Sequence, residues 1–325
     1  MSLPPSNVTA VIPTYRHARY IAKTLDSLLT QTQPPRAIIV VNDGSEDDTD
    51  GAVAPYLAHI EYLKRPHRGL RFAVAEGLDR VRTDYVHFIA SDDWLEPTAL
   101  EVLSSVLDSH PDVGVSHGWR VIEDGERTRL SGPPLLGKHR DVRMILSGQY
   151  VYATPSILWR TEAVLRVQAL LKFSYALDYA RWMAVVLEGW HYFAVPHVLG
   201  HYRRHPDNSS CLANYGGMGQ DERRALRFIL LHYRQRLSDD ERSAIRENFH
   251  RHYRELAWKD VADGNRTRAR RRFSRQLHLP DGRWNSLAGW GASVLPRSLY
   301  LWAKHEQIKI SHVSERRSAL RSKGN

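Results

Sequence analysis

Cysteine is almost absent from this chain of 325 residues, which contains only Cys211. A single cysteine excludes an intrachain disulfide and a cysteine-based zinc cluster, and it suits a reducing compartment. Long apolar runs are also missing, because no stretch of about 18 apolar residues occurs, and this predicts no membrane-spanning helix. The first residues have neither the basic start nor the apolar run of a secretory signal. These absences together predict a cytoplasmic protein.

Acidic residues are scarce in the last third of the chain. Residues 1–219 hold 22 Lys/Arg and 24 Asp/Glu, whereas residues 220–325 hold 24 and 12. A near-neutral body with a basic tail predicts that the tail faces an anionic partner. The sequence offers a membrane surface, an acidic glycan or a nucleic acid, but the tail lacks the base-stacking and groove-reading elements of a nucleic-acid partner. No nucleic-acid partner is therefore expected.

Two segments of the tail carry the membrane hypothesis. Arg266–Arg272 is the densest run of charge, and residues 293–310 interleave apolar and basic side chains. The second pattern is typical of a helix that lies on an anionic bilayer, which would make the protein peripheral on the inner face of the cell membrane. Packing of the same apolar residues on the protein body is the alternative, and the sequence does not choose between the two.

Strand and helix patterns alternate over the first 120 residues, and this predicts an α/β fold with a mostly parallel sheet and helices on both faces. Long Arg-rich helices follow residue 217, so we expect an α/β domain at 1–215 and a basic helical extension at 216–325. Residues 124–139 read as a loop. The expected strands are Val8–Ile12, Ala37–Val41, Ile60–Leu63, Tyr85–Ala90, Val113–Ser116, Pro155–Trp159 and Val198–Arg203.

Two adjacent carboxylates, Asp92 and Asp93, follow the apolar strand that ends at Ala90. Ligands of open α/β sheets bind at the carboxyl ends of the strands. A divalent cation shared with a phosphate-bearing ligand would relieve the repulsion between the two carboxylates, and hard cations prefer such oxygens. The alternative is that one of them caps the helix that begins near Glu96.

Polar residues also follow the first two strands. Asp43 and Gly44 end the second strand, and Pro13, Thr14 and Tyr15 end the first. Asp43 would lie where a doubly wound sheet holds a nucleotide. An ordinary strand-to-helix loop is the alternative.

Four blocks of the sequence resemble the inverting family-2 glycosyltransferases of the GT-A fold. They are VTAVIPTYRHARYIAKTLDSLLTQT, IIVVNDGSEDDT, YVHFIASDDW, and LDYARWMAVVLEGW followed by HYRRHPDNSS. They cover residues 8 to about 210 in the expected order. The resemblance implies a GT-A-like, Rossmann-like fold and a bacterial enzyme of surface-polysaccharide synthesis.

The resemblance also implies roles for single residues. Pro13, Thr14 and Tyr15 would line the nucleotide pocket, and Asp43 would bind the base or ribose. Asp93, with Asp92 beside it, would bind Mn²⁺ or Mg²⁺ and the diphosphate, and Asp178 would be the catalytic base. Asp92 is also expected to contact the donor. Because of their positive or imidazole side chains, and not because of the resemblance, four further residues are candidates for contact with the donor diphosphate, with a solvated basic loop as the alternative: Arg71, His201, Arg203 and His205.

Three positions depart from the family pattern. Ala90 and Leu177 stand where many members have an acidic residue, and Ala75 stands where asparagine is frequent. The place of Asp178 in the first turn of a helix would favour its ionised form, although the same place would equally suit a residue that only stabilises the helix.

The expected function is metal-dependent, inverting transfer of a sugar from a nucleotide-diphosphate donor, UDP- or dTDP-sugar favoured, to a glycan or lipid-linked acceptor. A catalytically degenerate scaffold or glycan-binding subunit is the main alternative, because Ala90 and Ala75 replace family residues. A nucleotidyltransferase would need a Gly-rich, lysine-containing phosphate loop after the first strand, and Ile12–Tyr15 contains none.

Overall fold

The structure is a computed structural model, and it describes residues 6–133, 135–140, 143, 154–167, 177–206, 208 and 215–275. Within these ranges, the side chains of 177–179, 215–220, 252 and 262 lie outside the description. The expected interfacial segment at 293–310 lies outside the described residues. The described chain separates into two compact units, residues 1–245 and 246–325.

The first unit is built on one mixed sheet in the order β3-β2-β1-β4-β9-β6-β10-β5, with β7 added to β6 and β8 added to β10. Four of the pairings between described strands are parallel and five are antiparallel. The strands are β1 Ser6–Thr14, β2 Pro35–Asn42, β3 Glu61–Lys64, β4 Tyr85–Phe88, β5 Trp94–Leu95, β6 Val113–Asp124, β7 Arg127–Ser131, β8 Gly137–His139, β9 Ile157–Arg160 and β10 His191–Arg204.

Nine α-helices occur among the described residues, and short 3-10 turns cover Ala54–Tyr56 and Thr154–Ser156. The helices are α1 Ala18–Leu29, α2 Thr49–Val53, α3 Leu70–Leu78, α4 Ala99–Ser109, α5 Thr161–Arg166, α6 Leu177–Leu187, α7 Tyr215–His232, α8 Asp239–Ala262 and α9 Arg266–Ser274.

Helices cover both faces of the sheet because side chains of a strand alternate between them. Ala10 and Ile12 of β1 share a buried cluster with Leu25 of α1 and other residues of α1 and α4. Val11, on the opposite face, lies so close to Gly77 of α3 that a methyl group on that glycine would overlap it. The apolar strand β1 is therefore buried on two sides, as a central parallel strand requires.

The expected α/β fold is confirmed, but its sheet is mixed and not mostly parallel as expected, because β5, β7, β8 and β9 join it by antiparallel pairing. Two further parts also needed correction. Residues 124–139, expected to be a loop, contain β7, which forms a hairpin with β6, and β8, which pairs with β10. The strand expected at 155–159 exists as β9, and it lies antiparallel between β4 and β6. Its strand partners lie 40 or more residues earlier in the chain, and the local hydrophobic pattern does not encode such distant pairing.

The first unit includes the helix that follows residue 215. Arg236, just beyond α7, donates a hydrogen bond to Leu187 O at 2.9 Å and binds Glu188, which ties this region to the end of α6. The expected domain division at residue 215 thus precedes the division between the compact units by about 30 residues, and it stays a prediction.

The second unit contains an antiparallel pair of helical segments from α8 and α9. Ala257 and Val261 of α8 pack on Ala269 and Phe273 of α9. Asp260 Oδ2 forms an ion pair with Arg272 Nε at 3.0 Å, and burial raises the pKa of Asp260. Among the residues that the structure describes, no helix has both the length and the apolar character needed to cross a membrane.

Candidate active site

Three neighbouring parallel strands, β2, β1 and β4, bring their carboxyl ends to one edge of the sheet. Asp43 follows β2, Tyr15 follows β1, and Asp92 lies in the turn after β4. Strands are spaced about 4.8 Å apart, so the turns after β2 and β4 are separated by roughly 10 Å. The residues that the sequence singles out at the strand ends therefore share one edge.

Asp92 is the centre of a buried polar cluster. Its Oδ2 lies 2.8 Å from His205 Nε2, and it accepts a hydrogen bond of 2.8 Å from Asn208 Nδ2. His205 and Asn208 belong to the segment just after β10, so the long strand β10 brings them to the turn after β4. The Asp92 and His205 side chains are only 5% and 6% exposed. Burial of either polar group without a partner would cost free energy, so their mutual contact stabilises both.

His17 reaches the same cluster from the start of α1. Its Nδ1 lies 2.8 Å from Ser91 Oγ, and its ring is 5.6 Å from the His205 ring in an edge-on arrangement. One potential ligand atom from each of His17, Asp92 and His205 lies within 4.8 Å of the others. Two imidazoles and a carboxylate at this spacing suit a transition-metal ion.

Asp93 has a different environment from its neighbour. Its side chain is fully buried, and its Oδ1 accepts a hydrogen bond of 3.0 Å from the backbone N–H of Arg203. Its carbonyl oxygen accepts a hydrogen bond of 2.6 Å from Thr24 Oγ1 in α1. Asp93 thus joins the acidic turn to β10 and α1. The assignment of Asp93 as a metal ligand stays a prediction.

Asp43 joins the turn after β2 to residues 65–69. Its two carboxylate oxygens accept hydrogen bonds from the backbone N–H groups of Arg68 at 3.0 Å and Gly69 at 2.7 Å. His67 Nδ1 lies 2.9 Å from Asp43 Oδ2. Arg65 Nε also lies 3.8 Å from Asp43 Oδ1, and the Asp43 side chain is 4% exposed. A carboxylate has about four acceptor positions, so a ligand donor would share Asp43 with these four groups.

Tyr15 lies beside this carboxylate with its ring stacked on His67, the two ring centroids being 4.1 Å apart. Thr14 is buried and pairs with Asn42 in the sheet, and Pro13 pairs with Val41. Tyr15 and Asp43 therefore supply an aromatic face and an acceptor next to each other, while Thr14 and Pro13 shape the edge from within the sheet.

The predicted donor-binding residues of β10 have two different placements. His201 stacks on Trp94 at 4.6 Å and lies between two carboxylates, 2.7 Å from Glu96 Oε1 and 3.1 Å from Glu123 Oε1. Arg203 instead points to the acidic turn, where its Nε donates to the carbonyl of Asp92 at 3.1 Å. Arg203 is therefore next to the cluster, whereas His201 joins β5, β6 and β10.

Two more predicted residues lie at helix starts. Asp178 is the second residue of α6, as expected, but its side chain is outside the described ones. Arg71 is the second residue of α3 and contacts the ring of Phe72, with 4.4 Å from the guanidinium carbon to the ring centroid. Because α3 begins just after the Asp43 contacts at 68–69, Arg71 lies near the predicted nucleotide pocket.

Residues 9–170 match the family model described as glycosyl transferase family 2. This match covers about half of the chain and includes the turns after β1, β2 and β4. The chain belongs to glycosyl transferase family 2.

Bacterial glycosyltransferases are among the relatives of this family 2 chain. It is 32% identical over 121 residues to glycosyltransferase GlyA of Streptococcus pneumoniae. The aligned residues are 36% of this chain and 17% of that protein. It is 28% identical over 124 residues to the putative glycosyltransferase EpsH of Bacillus subtilis, 37% of this chain and 36% of that one. The aligned part thus spans well under half the length of these relatives.

Solved structures of similar fold cover most of the chain. Residues 1–349 of Staphylococcus aureus TarS superpose with a TM-score of 0.61 at 15% identity, over 91% of each chain. The mannosyltransferase PcManGT of Pyrobaculum calidifontis, solved with GDP-Man and Mn²⁺, gives 0.54 at 16% identity, over 96% of this chain and 87% of that one. These likenesses show the GT-A fold.

Three residues of this family 2 site were not among those expected from the sequence: His17, His67 and Asn208. His17 lies only two residues beyond Tyr15, and Asn208 follows His205 at a spacing that a tight turn brings together. Those spacings are the only local signal for His17 and Asn208, because their contacts with Ser91 and Asp92 join parts of the chain that are 74 or more residues apart. His67 contacts Asp43, 24 residues earlier in the chain, and no local spacing indicates that contact.

Proposed function

We propose that this chain transfers a sugar from a nucleotide-diphosphate donor to a hydroxyl group of a glycan or lipid-linked acceptor, with inversion at the anomeric carbon. The observation that carries the proposal is the shared strand edge. It presents an aromatic ring and a carboxylate at Tyr15 and Asp43, and an imidazole–carboxylate cluster at Asp92 and His205 two strands away. One end suits a nucleoside and the other a diphosphate.

The nucleoside would lie against Tyr15, with Asp43 as the acceptor for an N–H of the base or for a ribose hydroxyl. Stacking of a base on an aromatic ring contributes about 1–3 kcal/mol. A uracil or thymine donor is favoured in this proposal. Support comes from TarS, which has been solved with UDP and with UDP-GlcNAc, while the GDP-Man complex of PcManGT keeps guanine among the candidates.

A divalent cation fits between Asp92 and His205. Two ligand atoms at right angles around an ion, each about 2.1 Å from it, lie about 3 Å apart, and Asp92 Oδ2 and His205 Nε2 are 2.8 Å apart. When bound, the ion would neutralise negative charge on the departing diphosphate. Arg203, which contacts the Asp92 carbonyl, would add a positive charge on the same side.

Asp178 is the proposed general base. It would take the proton of the acceptor hydroxyl as that oxygen forms its bond to the anomeric carbon and the bond from this carbon to the diphosphate oxygen breaks. A single displacement of this kind inverts the anomeric centre without a covalent nucleophile. The first turn of α6 favours the ionised carboxylate, the form that accepts the proton.

A surface polysaccharide or its lipid-linked precursor is the proposed acceptor, reached at the cytoplasmic face of the membrane. The second unit supports an anionic membrane as a partner: residues 246–275 hold ten Lys/Arg and four Asp/Glu, a net charge of +6. Arg266, Arg270 and Arg271 of α9 are exposed, while its apolar residues pack on α8. Basic residues near such a surface contribute about 1 kcal/mol each.

Release of the nucleotide, a nucleoside diphosphate from UDP-, dTDP- and GDP-sugars and CMP from CMP-sugars, tests the proposal, with Mn²⁺ present and with water or added glycan as acceptor. We expect turnover of the sugars activated by one of these nucleotides and not of the others. We expect Asp178→Asn to lower kcat about 10²–10⁴-fold while the dissociation constant of the donor is unchanged, since a general base acts on the acceptor.

Asp79→Asn is the matched control. Asp79 is an exposed carboxylate at the C-terminal end of α3, whereas the predicted nucleotide pocket lies at the start of that helix. It should leave both constants unchanged. Donor binding without any turnover by the wild-type protein would support the glycan-binding scaffold instead. An unchanged kcat in Asp178→Asn would remove Asp178 as the base.

A further inference from the structure

The start of α1 places a second imidazole beside the proposed ion position. His17 comes three residues after the end of β1, and its Nδ1 lies 2.8 Å from Ser91 Oγ, next to Asp92. The chain has Ala90 at the other side of Ser91, a residue without any ligand atom. The acidic turn therefore offers the Asp92 carboxylate to the buried cluster, while His17 at the start of α1 adds a nitrogen donor to the same cluster.

The geometry points to His17 as a third protein ligand of the divalent cation, together with Asp92 and His205. This inference rests on the proposed function and deepens it. One ligand atom of each residue lies within 4.8 Å of the other two, so a single ion can reach all three after small side-chain adjustments. Residues of three separate segments, the start of α1, the turn after β4 and the segment after β10, would meet at one ion.

Ser91 acts as the positioning residue for this ligand. Metal-bound histidines generally engage their other ring nitrogen in a hydrogen bond, which sets the tautomer and the ring orientation. The contact of His17 Nδ1 with Ser91 Oγ is of this kind, and it assigns Nε2 to the ion. The ring of Tyr20, one turn further along α1, packs on His205 at 4.7 Å and fixes the second imidazole.

Two imidazoles and one carboxylate change which ion the site selects. Mg²⁺ prefers oxygen ligands, whereas Mn²⁺, Co²⁺ and similar ions accept imidazole nitrogen. A site built from His17, Asp92 and His205 should therefore prefer these transition ions to Mg²⁺. Three protein ligands would leave the remaining positions of a six-coordinate ion for oxygens of the donor or water.

Binding of Mn²⁺ to the full chain, without any donor, tests the inference. The free ion is followed by its electron paramagnetic resonance signal, and pulsed measurements on the bound ion count the coordinated nitrogens. We expect two nitrogens in the wild-type protein, and one nitrogen with at least about tenfold weaker binding in His17→Gln. Ser91→Ala should weaken binding about 10–100-fold with both nitrogens retained.

His59→Gln is the control, because His59 is an exposed histidine far along the chain from the cluster and should leave affinity and nitrogen count unchanged. Mg²⁺ should displace Mn²⁺ from the wild-type protein only at a large excess, and more readily from His17→Gln.

A wild-type ion with one coordinated nitrogen, or His17→Gln with wild-type affinity and two nitrogens, would overturn the inference and leave the Asp92–His205 site intact. The wild-type nitrogen count decides the matter even where the His17 variant does not fold. Absence of Mn²⁺ binding by the wild-type protein, with or without UDP, would overturn the metal part of the proposed function as well.

Discussion

Replacement of Gly44 by alanine should destabilise the first unit and weaken donor binding together. Gly44 follows Asp43 and has a φ of +76°, in the left-handed region. An added Cβ would lie 2.6 Å from the backbone nitrogen of His67 and 3.0 Å from the carbonyl oxygen of Arg65. Both neighbours are backbone atoms, so the segment 65–69 would have to move as a whole.

The expected cost has two parts. The left-handed conformation costs a residue with a Cβ about 1–2 kcal/mol, and overpacking against backbone adds about 1–3 kcal/mol. A loss of about 3 kcal/mol lowers the midpoint of thermal unfolding by about 6–12 °C in a unit of this size. Movement of residues 65–69 also breaks the hydrogen bonds of Asp43 with the N–H groups of Arg68 and Gly69, which should misplace this carboxylate.

Urea unfolding of the full chain, followed by tryptophan fluorescence, gives the free energy, and titration with UDP gives the affinity. Gly125→Ala is the matched control, because Gly125 in the β6–β7 turn has a φ of +62° with open space where a Cβ would be. It should lose only the backbone part, about 1–2 kcal/mol, and bind UDP as the wild-type protein does. Equal losses in the two variants would refute the close-approach argument.

Two further predictions concern buried groups of β4. Burial lowers the pKa of His87 to about 4 from 6.5, so the unfolded chain binds a proton that the folded chain does not between these values, and about 3 kcal/mol of stability should be lost as pH falls from 7 to 4. His87→Gln should reduce this loss in urea titrations at the two pH values, and an unchanged pH dependence would contradict the assignment. Burial, followed by the hydrogen bond to Asp108, raises the pKa of Tyr85 to about 12, and its hydroxyl donates to Asp108 Oδ1 at 2.5 Å. Tyr85→Phe should therefore cost only about 0.5–1.5 kcal/mol in the same assay, since Asp108 is exposed and water can replace the lost donor, and a loss above about 3 kcal/mol would contradict this reasoning.

Local sequence features were sufficient to predict the strand ends that form the site. Apolar runs closed by Pro13–Tyr15, Asp43–Gly44 and Asp92–Asp93 predict both the strands and the edge where they meet, because parallel strands end on one side of a sheet. The α/β fold and the family followed from the same segments and are confirmed.

Features that depend on distant pairing were not predictable in this way. The antiparallel position of β9 and the hairpin of β6 with β7 are set by neighbours in space, so the hydrophobic pattern shows strands but not their partners or directions. The same holds within the site. His201 is separated from Glu96 by 105 residues, and only the register of β10 shows that it lies between carboxylates.

The position of β9 has a consequence for biosynthesis. Residues 157–160 are inserted between β4 and β6, although both of those strands leave the ribosome earlier. Until Ile157 emerges, the inner edges of β4 and β6 have no neighbour, and exposed strand edges of this kind are templates for aggregation. Chains that terminate before this point should accumulate in the insoluble fraction, and chains that include β9 still lack β10, the partner of β5, β6 and β8. The sheet therefore becomes complete only after both β9 and β10 have left the ribosome.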